Sequence, residues 1–471
     1  MELHEYARFD AVGLRDLIAT GEVTAAEVED TARRALLAAD AEVNALALPL
    51  FSPALDHVAD GPLAGVPFLI KDSGPMAKGV PSFLGSRGLE VVAGHDSELM
   101  TRLRAAGLVT LGLTTVPEMV VSFSTESVKH GPTRNPWDLE RGVGGSSGGA
   151  AALVAAGAVP LAHGNDGAGS IRVPASCCGL VGLKPSRGRV SSGPDTAEVT
   201  FGMSCEFGLA RTVRDAAHLL DAVHGPAAGD KYTAPPPAGR YADEPGADPG
   251  TLRVAVTTEA WSGVAVDPEV AAAAVTVGKA LEGMGHLVTG ATPAVEWDLV
   301  LRGVVPVAIA CVAGAVLAAS ATPDPGGFEA VTRHALDAVK GLGALDLMAA
   351  LDAQNRVSRS VGAFFAGYDL LVTPTLGQLP APHGILRYDD PDHTMASWHE
   401  SLFDYGPFTV VFNIAGLPAV SLPLGWSESG LPIGVQLVAP YGREDLLLRI
   451  AARLEEAMPW KDRTPRVFVG G

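Results

Sequence analysis

Three short segments hold residues whose types and spacing could do acid–base or nucleophilic chemistry. The first is Gly65-Val66-Pro67-Phe68-Leu69-Ile70-Lys71-Asp72. Its apolar run reads as a buried strand that carries Lys71 to its end. Loss of water disfavours an ammonium ion, so a lysine placed there has a lowered pKa and can serve as a base. Taken alone, Lys71-Asp72 reads first as an ordinary surface ion pair. The second segment is Gly144-Gly145-Ser146-Ser147-Gly148-Gly149. Four glycines around two serines open backbone conformations closed to other residues and allow close approach of a ligand or another segment. By itself this is also a flexible loop. The third is Asp166-Gly167-Ala168-Gly169-Ser170-Ile171-Arg172-Val173-Pro174-Ala175. Small residues before Ser170 can aim successive N–H groups at one point, as a developing oxyanion requires. Alone, a tight turn before a helix is the competing reading.

The elements that must position these residues alternate between strand and helix. Residues 10–40 have helical periodicity, with Thr24 and Glu27 spaced as a capping box. Residues 97–106 read as a helix ended by Gly107 and followed by a strand over 108–113. Residues 125–149 and 163–172 read as Gly-rich loops flanking a helix over 150–156. An amphipathic helix is expected over 211–223, a strand over 252–257 and a helix over 268–283. Residues 297–366 read as mostly helical. Further strands fall at 370–372, 419–424 and 433–438, and a helix over 445–457 follows. The pattern predicts an α/β class with a mixed sheet.

The three segments together are far more specific than each alone. With Gly179-Leu180-Val181-Gly182-Leu183-Lys184-Pro185 they reproduce the ordered motifs of the amidase signature family, which the chain resembles over nearly its whole length. Gly131-Pro132-Thr133-Arg134-Asn135-Pro136-Trp137, Asn413-Ile414-Ala415-Gly416-Leu417-Pro418-Ala419 and Gly430-Leu431-Pro432-Ile433-Gly434-Val435-Gln436 extend the likeness. The resemblance implies an amidase signature fold, a central mixed β-sheet flanked on both faces by helices. It implies one domain over 1–471, with the core signature at 63–215, a surface excursion at 225–250 and a variable helical pocket region at 297–410. Carried over by residue, it makes Ser170 the nucleophile, Ser146 a bridging serine on a cis peptide, and Lys71 the base. The N–H groups of Gly167, Ala168, Gly169 and Ser170 become the oxyanion hole. Asp166 and Arg172 are expected to hold that loop, and Ser147 to hydrogen-bond Lys71.

The expected reaction is hydrolysis of amide C–N bonds through an acyl-enzyme, with no metal or cofactor. Two departures from the family pattern stand out. Ala168 replaces a glycine and penalises positive φ, and Asn165 replaces a smaller residue. Residues 164–180 resemble the branch of the family that hydrolyses nylon oligomers. That implies small, fairly apolar linear or cyclic amides, with aryl carbamates and esters as further candidates. Pocket walls are expected from 119–127, 172–177, 305–315 and 373–410. Thr115, Met119 and Phe123 are expected to make the pocket apolar, and Cys311 is a candidate to face substrate.

Two competing readings rest on the same residues. Gly144-Gly145-Ser146-Ser147-Gly148 also fits the G-x-S-x-G elbow of a Ser-His-Asp esterase with Ser146 as nucleophile. That elbow needs a strand before the serine, and residues 134–145 are rich in Pro and Gly. His95 and His163, the histidines nearest the loops, read as structural. A glutamine-dependent amidotransferase subunit is a second alternative. The formal net charge of −19 weighs against it and against a nucleic-acid partner, which calls for clustered Lys and Arg.

Hydrophobic residues make up 47% and charged residues 18%, a composition that favours a globular core over disorder. Cys177, Cys178, Cys205 and Cys311 form no C-x-x-C pair and read as reduced thiols, the first two packed in the core. Met1–Tyr6 has neither a basic nor an apolar region of a signal peptide, so a cytoplasmic location is expected. Residues 303–323 lack charge over a span that could cross a bilayer. Pro306, and the absence of a basic or aromatic belt, favour a buried helix and no membrane partner. A small-molecule amide substrate and a monomer or homodimer complete the expectations.

Overall fold

The structure, a computed structural model, describes residues 1–196, 200–319 and 323–471. The strands that position the site are β1 (Pro67–Lys71), β2 (Val109–Thr114), β3 (Leu161–Asp166), β4 (Val181–Lys184) and β5 (Cys205–Ala210). They continue with β6 (Arg253–Val256), β7 (Leu287–Gly290), β8 (Leu370–Pro374), β9 (Ala419–Trp426) and β10 (Pro432–Val438). Eight of them form one sheet in the order β7-β6-β8-β10-β9-β4-β5-β3. Pairing is parallel among β7, β6 and β8 and antiparallel from β8 to β3. The sheet is therefore mixed, as expected. β1 and β2 form a separate parallel pair, and β1 lies against β3.

Local sequence explains the elements that carry this sheet. Helix α1 (Ala25–Val43) starts at a capping box. Thr24 Oγ1 accepts the Glu27 N–H at 3.2 Å, and Glu27 Oε2 accepts the Thr24 N–H at 2.8 Å. Helix α2 (Glu98–Ala105) is capped by the Ser97 hydroxyl and delivers the chain to β2. Helices α3 (Gly148–Ala155) and α4 (Arg172–Cys178) flank β3, and α5 (Val213–Val223) follows β5. Helix α6 (Pro268–Gly283) links the parallel strands β6 and β7. Pro268 opens it where a missing N–H costs nothing, and the Asp267 side chain caps it.

Helix α7 (Trp297–Leu317) is long and apolar enough to cross a membrane by length and composition alone. Here Val300, Val304, Val307 and Val312 are buried within the protein. It packs against α8 (Ala344–Phe364), where Gln354 Nε2 donates to Gly303 O at 2.8 Å. Pro306 sits inside the helix without ending it. The far end of the uncharged stretch, at 320–322, lies outside the described residues. Helices α9 (Met395–Tyr405), α10 (Val410–Ile414) and α11 (Glu444–Ala457) follow along the chain.

Two expected loops prove to be structured. Residues 163–166 are strand, because β3 pairs with β5 along its whole length. Residues 126–142 contain two short hairpins, 126–127 with 131–132 and 134–135 with 138–142. The excursion at 225–250 is pinned back to the body. Tyr241 is buried, its N–H donates to Asp221 Oδ1 at 2.7 Å, and Glu244 pairs with Arg449 of α11 at 2.5 Å.

Candidate active site

Strand alternation decides which side chains of β3 meet which neighbours. His163 and Asn165 fall on one face, Gly164 and Asp166 on the other. On the first face, Asn165 stands directly opposite Glu206 of β5, and the end of β1 closes over both. Lys71 Nζ lies 2.8 Å from Ser146 Oγ and 2.5 Å from Asn165 Oδ1. His163 Nδ1 accepts the backbone N–H of Lys71 at 3.4 Å, and His163 Nε2 faces Glu206 Oε2 at 2.8 Å. Lys71 is fully buried. Burial pushes its pKa down to about 7, against the opposing pull of Glu206, Asp166 and Asp72. Close to neutrality this amine therefore has a substantial unprotonated fraction.

Asp72 is not a surface partner of Lys71. Its carboxylate accepts from Ser82 Oγ at 3.0 Å, Phe83 N at 2.7 Å and Gly85 N at 3.0 Å, and so shapes the neighbouring loop. Nor does the Ser147 hydroxyl touch Lys71, as had been expected. It donates to the Asn165 carbonyl at 3.3 Å, because Ser147 opens α3 and points toward β3. The Ser147 N–H donates to the Ser170 carbonyl at 3.2 Å, which ties the two serine segments together. Gly145–Ser146 is a cis peptide. Gly148 and Gly149 must be glycine for space: a Cβ would stand 2.1 Å from Thr125 Oγ1 and 2.5 Å from Thr115 Oγ1, respectively.

On the other face of β3, Asp166 and Arg172, expected to hold the loop, pair with each other and are fully buried. Arg172 Nη2 meets Asp166 Oδ1 at 2.8 Å and Nε meets Oδ2 at 2.9 Å, a two-pronged contact. The guanidinium also donates to Thr409 O, Gln436 Oε1 and Asn413 Oδ1. Asp166 Oδ2 accepts the N–H groups of Ile171 and Arg172 at 3.2 and 3.4 Å. Despite its burial, the Arg172 charge holds the Asp166 carboxyl well below the usual carboxylate range.

The turn between these two residues is thereby fixed at both ends. Among the described residues, none of the four N–H groups of Gly167, Ala168, Gly169 and Ser170 is hydrogen-bonded. Gly169 has φ +147°, and a Cβ there would stand 2.5 Å from Thr409 Oγ1. Ala168 is absent from the residues with positive φ, so its methyl group is tolerated. Its carbonyl accepts from Thr409 Oγ1 at 2.6 Å.

Ser146, Asn165, Gly167, Ala168 and Ser170 open into one cavity of about 740 Å³, within the usual size of a small-molecule site. Among the described residues, no hydrogen bond joins Ser146 Oγ directly to Ser170 Oγ. Met119, Phe123 and Cys311 all line the cavity. Phe123 packs edge-on against Phe403 at 6.3 Å between ring centroids. Burial pushes the Cys311 thiol up to about 11. Thr115 does not line the cavity and instead hydrogen-bonds Thr133 at 2.7 Å. Residues 172–177 are likewise turned away, because α4 is buried on all sides.

Sequence reasoning missed much of the cavity wall. Segments 73–76, 91–99, 191–196 and 200–206 contribute to it, with His95 and Asp195 meeting at 3.1 Å on its exposed rim. Four non-glycine lining residues, Leu84, Met119, Val120 and Thr200, hold positive φ. Such strain gathers where a fixed backbone shape serves a ligand. It leaves no mark in the sequence. Asn165, the second partner of Lys71, was also missed as a site residue. Its one signal was its departure from the family pattern.

A buried lysine against a serine, beside a second serine preceded by free backbone donors, is apt for acyl transfer at neutral pH. Comparison with known proteins agrees in class. The model of the Amidase family matches residues 29–448, and the chain belongs to the amidase signature family, whose members cleave amide bonds. The chain is 41% identical to the 6-aminohexanoate-cyclic-dimer hydrolase of Paenarthrobacter ureafaciens over 481 residues, covering 98% of this chain and 97% of that protein. The solved structure of a 6-aminohexanoate cyclic dimer hydrolase complexed with substrate superposes with a TM-score of 0.90. It is 38% identical, with 98% of this chain and 99% of that one covered. A bacterial aryl acylamidase of the same family superposes with a TM-score of 0.85 at 25% identity, covering 96% of each chain.

Proposed function

We propose that this chain hydrolyses small, fairly apolar cyclic or linear amides through Lys71, Ser146 and Ser170. The observation that carries the reading is the buried Lys71 amine, 2.8 Å from Ser146 Oγ on the same cavity as Ser170. Neutral Lys71 takes the proton of Ser146 as Ser146 takes that of Ser170. Ser170 Oγ attacks the amide carbon, and the N–H groups of Gly167–Ser170 receive the charge that develops on oxygen. The same relay returns a proton to the leaving nitrogen, since an amide anion is too poor a leaving group to depart unprotonated. Water then cleaves the acyl-Ser170 ester, with the relay again removing a proton. No metal or cofactor enters these steps.

The substrate class rests on the cavity. Its wall of Val, Ala, Met and Phe side chains suits a hydrocarbon chain, and Cys311 and Phe123, which line it, are proposed to contact the acyl or amine portion. The relatives named for a cyclic dimer of 6-aminohexanoate favour a cyclic amide as the first candidate. Aryl amides come next, with aryl carbamates and esters as weaker ones. Residues 1–471 act as one catalytic unit, a monomer or homodimer working in the cytoplasm. The Ser-His-Asp alternative has little support. Among the described residues, no histidine hydrogen-bonds Ser146 or Ser170.

The test is hydrolysis of a cyclic amide dimer, an aryl amide, an aliphatic primary amide and an aryl ester by wild type and Ser170→Ala. Amide turnover that disappears in Ser170→Ala supports the reading, and the panel then ranks the substrates. Full amide turnover in Ser170→Ala overturns it. Turnover of the ester alone overturns the choice of bond.

A further inference from the structure

Asn165 Oδ1 stands 2.5 Å from Lys71 Nζ. Its Nδ2 donates to Ser73 O at 3.1 Å, to Ser73 Oγ at 3.0 Å and to Glu206 Oε1 at 3.4 Å. Those acceptors fix which end of the amide faces the lysine. Reversed, the amide NH2 would oppose the N–H groups of Lys71, and its oxygen would face a backbone carbonyl and a carboxylate. Lys71 Nζ therefore has two partners of different kinds. Ser146 Oγ can donate or accept a proton, whereas Asn165 Oδ1 can only accept.

A neutral amine has two N–H groups and one lone pair. One N–H is spent on Asn165 Oδ1, which turns the lone pair away from it and leaves it free to face Ser146 Oγ. We propose that Asn165 is a positioning residue: its side-chain oxygen orients Lys71 so that the lone pair faces Ser146, and its neutrality keeps a further negative charge away from the amine. This inference rests on the Lys71–Ser146–Ser170 reading above.

The charged and titratable groups around Lys71 fit that arrangement. Asp72 is bonded to Ser82, Phe83 and Gly85, Asp166 to Arg172, and Glu206 to His163. His163 faces the Lys71 backbone through Nδ1, and burial favours its neutral form. Each carboxylate is engaged elsewhere, so the acceptor placed against Nζ is the uncharged one. A carboxylate at 165 would stabilise the ammonium form and hold the base protonated to higher pH.

The test is kcat/KM against pH, with kcat and KM separated, for wild type, Asn165→Asp, Asn165→Ala and Lys71→Ala. Asn165→Asp is expected to move the acid limb of the profile upward by about 1–3 pH units. Its activity at pH 7 falls by about 5- to 500-fold and recovers at high pH. Asn165→Ala is expected to lose kcat about 100-fold at every pH with little change in KM, because the amine is misdirected. A wild-type acid limb in Asn165→Asp, or a wild-type kcat in Asn165→Ala, overturns the proposal and leaves Asn165 a purely structural residue. If Asn165→Ala does not fold, the nearly isosteric Asn165→Asp decides alone, since the position of a limb does not depend on the amount of active enzyme. Activity retained in Lys71→Ala would instead overturn the underlying reading, and this inference with it.

Discussion

Replacing Arg172 with Met should reveal how the oxyanion turn is held. Arg172 and Asp166 are both inaccessible to solvent and joined at 2.8 and 2.9 Å. Removing one partner of such a pair costs about 3–5 kcal/mol, because the other charge is left buried. The carbonyl of Thr409 and the side chains of Gln436 and Asn413 also lose a donor, which places Arg172→Met toward the upper end. Unfolding in urea at pH 7 reads this loss. The pH dependence gives a second check. In the wild type the Asp166 carboxyl sits below its unfolded value, so its stabilisation is present above about pH 4 and lost as pH falls through the folded pKa. In Arg172→Met, burial raises that carboxyl above its unfolded value. The neutral form is then tolerated below about pH 4, and stability is lost as pH rises. The gap between the two proteins should therefore narrow from pH 7 toward pH 4. Arg172→Lys keeps a charge but not the fork, and should fall between them. A gap below about 1 kcal/mol at pH 7, or one that does not narrow in acid, would refute the reasoning.

Further outcomes follow from single contacts. Gly169→Ala forces a Cβ to within 2.5 Å of Thr409 Oγ1 at a φ of +147°. It should lower kcat by about 100- to 1000-fold by moving an oxyanion donor, with KM nearly unchanged; equal activity would show that this N–H takes no part. Cys311 lines the cavity with its thiol pushed up to about 11. It should react slowly with iodoacetamide at pH 7, and substrate should slow the reaction further. Rapid alkylation unaffected by substrate would place Cys311 outside the substrate's path.

The parts of the fold written in local signals were legible. Thr24 and Glu27 mark the start of α1, and Asp267-Pro268 that of α6, because caps act within one turn. Lys71 could be placed at a strand end from the apolar run before it. β3 was not legible as a strand, because His163, Gly164, Asn165 and Asp166 have little strand preference and its pairing with β5 comes from distant chain. The same distance hid the Asn165–Lys71 contact and sent the Ser147 hydroxyl to a different partner from the one expected. The Asp166–Arg172 pair, by contrast, spans a single turn, and the family motif implied that these two residues hold the loop. Of the cavity walls, 119–123 and the α7 face were found. The walls at 91–99, 191–196 and 200–206 were missed, since loops carry no periodicity to show which side faces inward.

The central claim is that Ser170, served by Ser146 and Lys71, carries the acyl group. Acid quenching of the wild-type enzyme during turnover of an aryl amide or its matching ester, followed by peptide mapping by mass, tests it most directly. The account predicts the acyl mass on the peptide containing Ser170, at Ser170 itself, and no adduct in Lys71→Ala at the same early time. An adduct on Ser146 in the wild type would contradict it and make Ser146 the nucleophile.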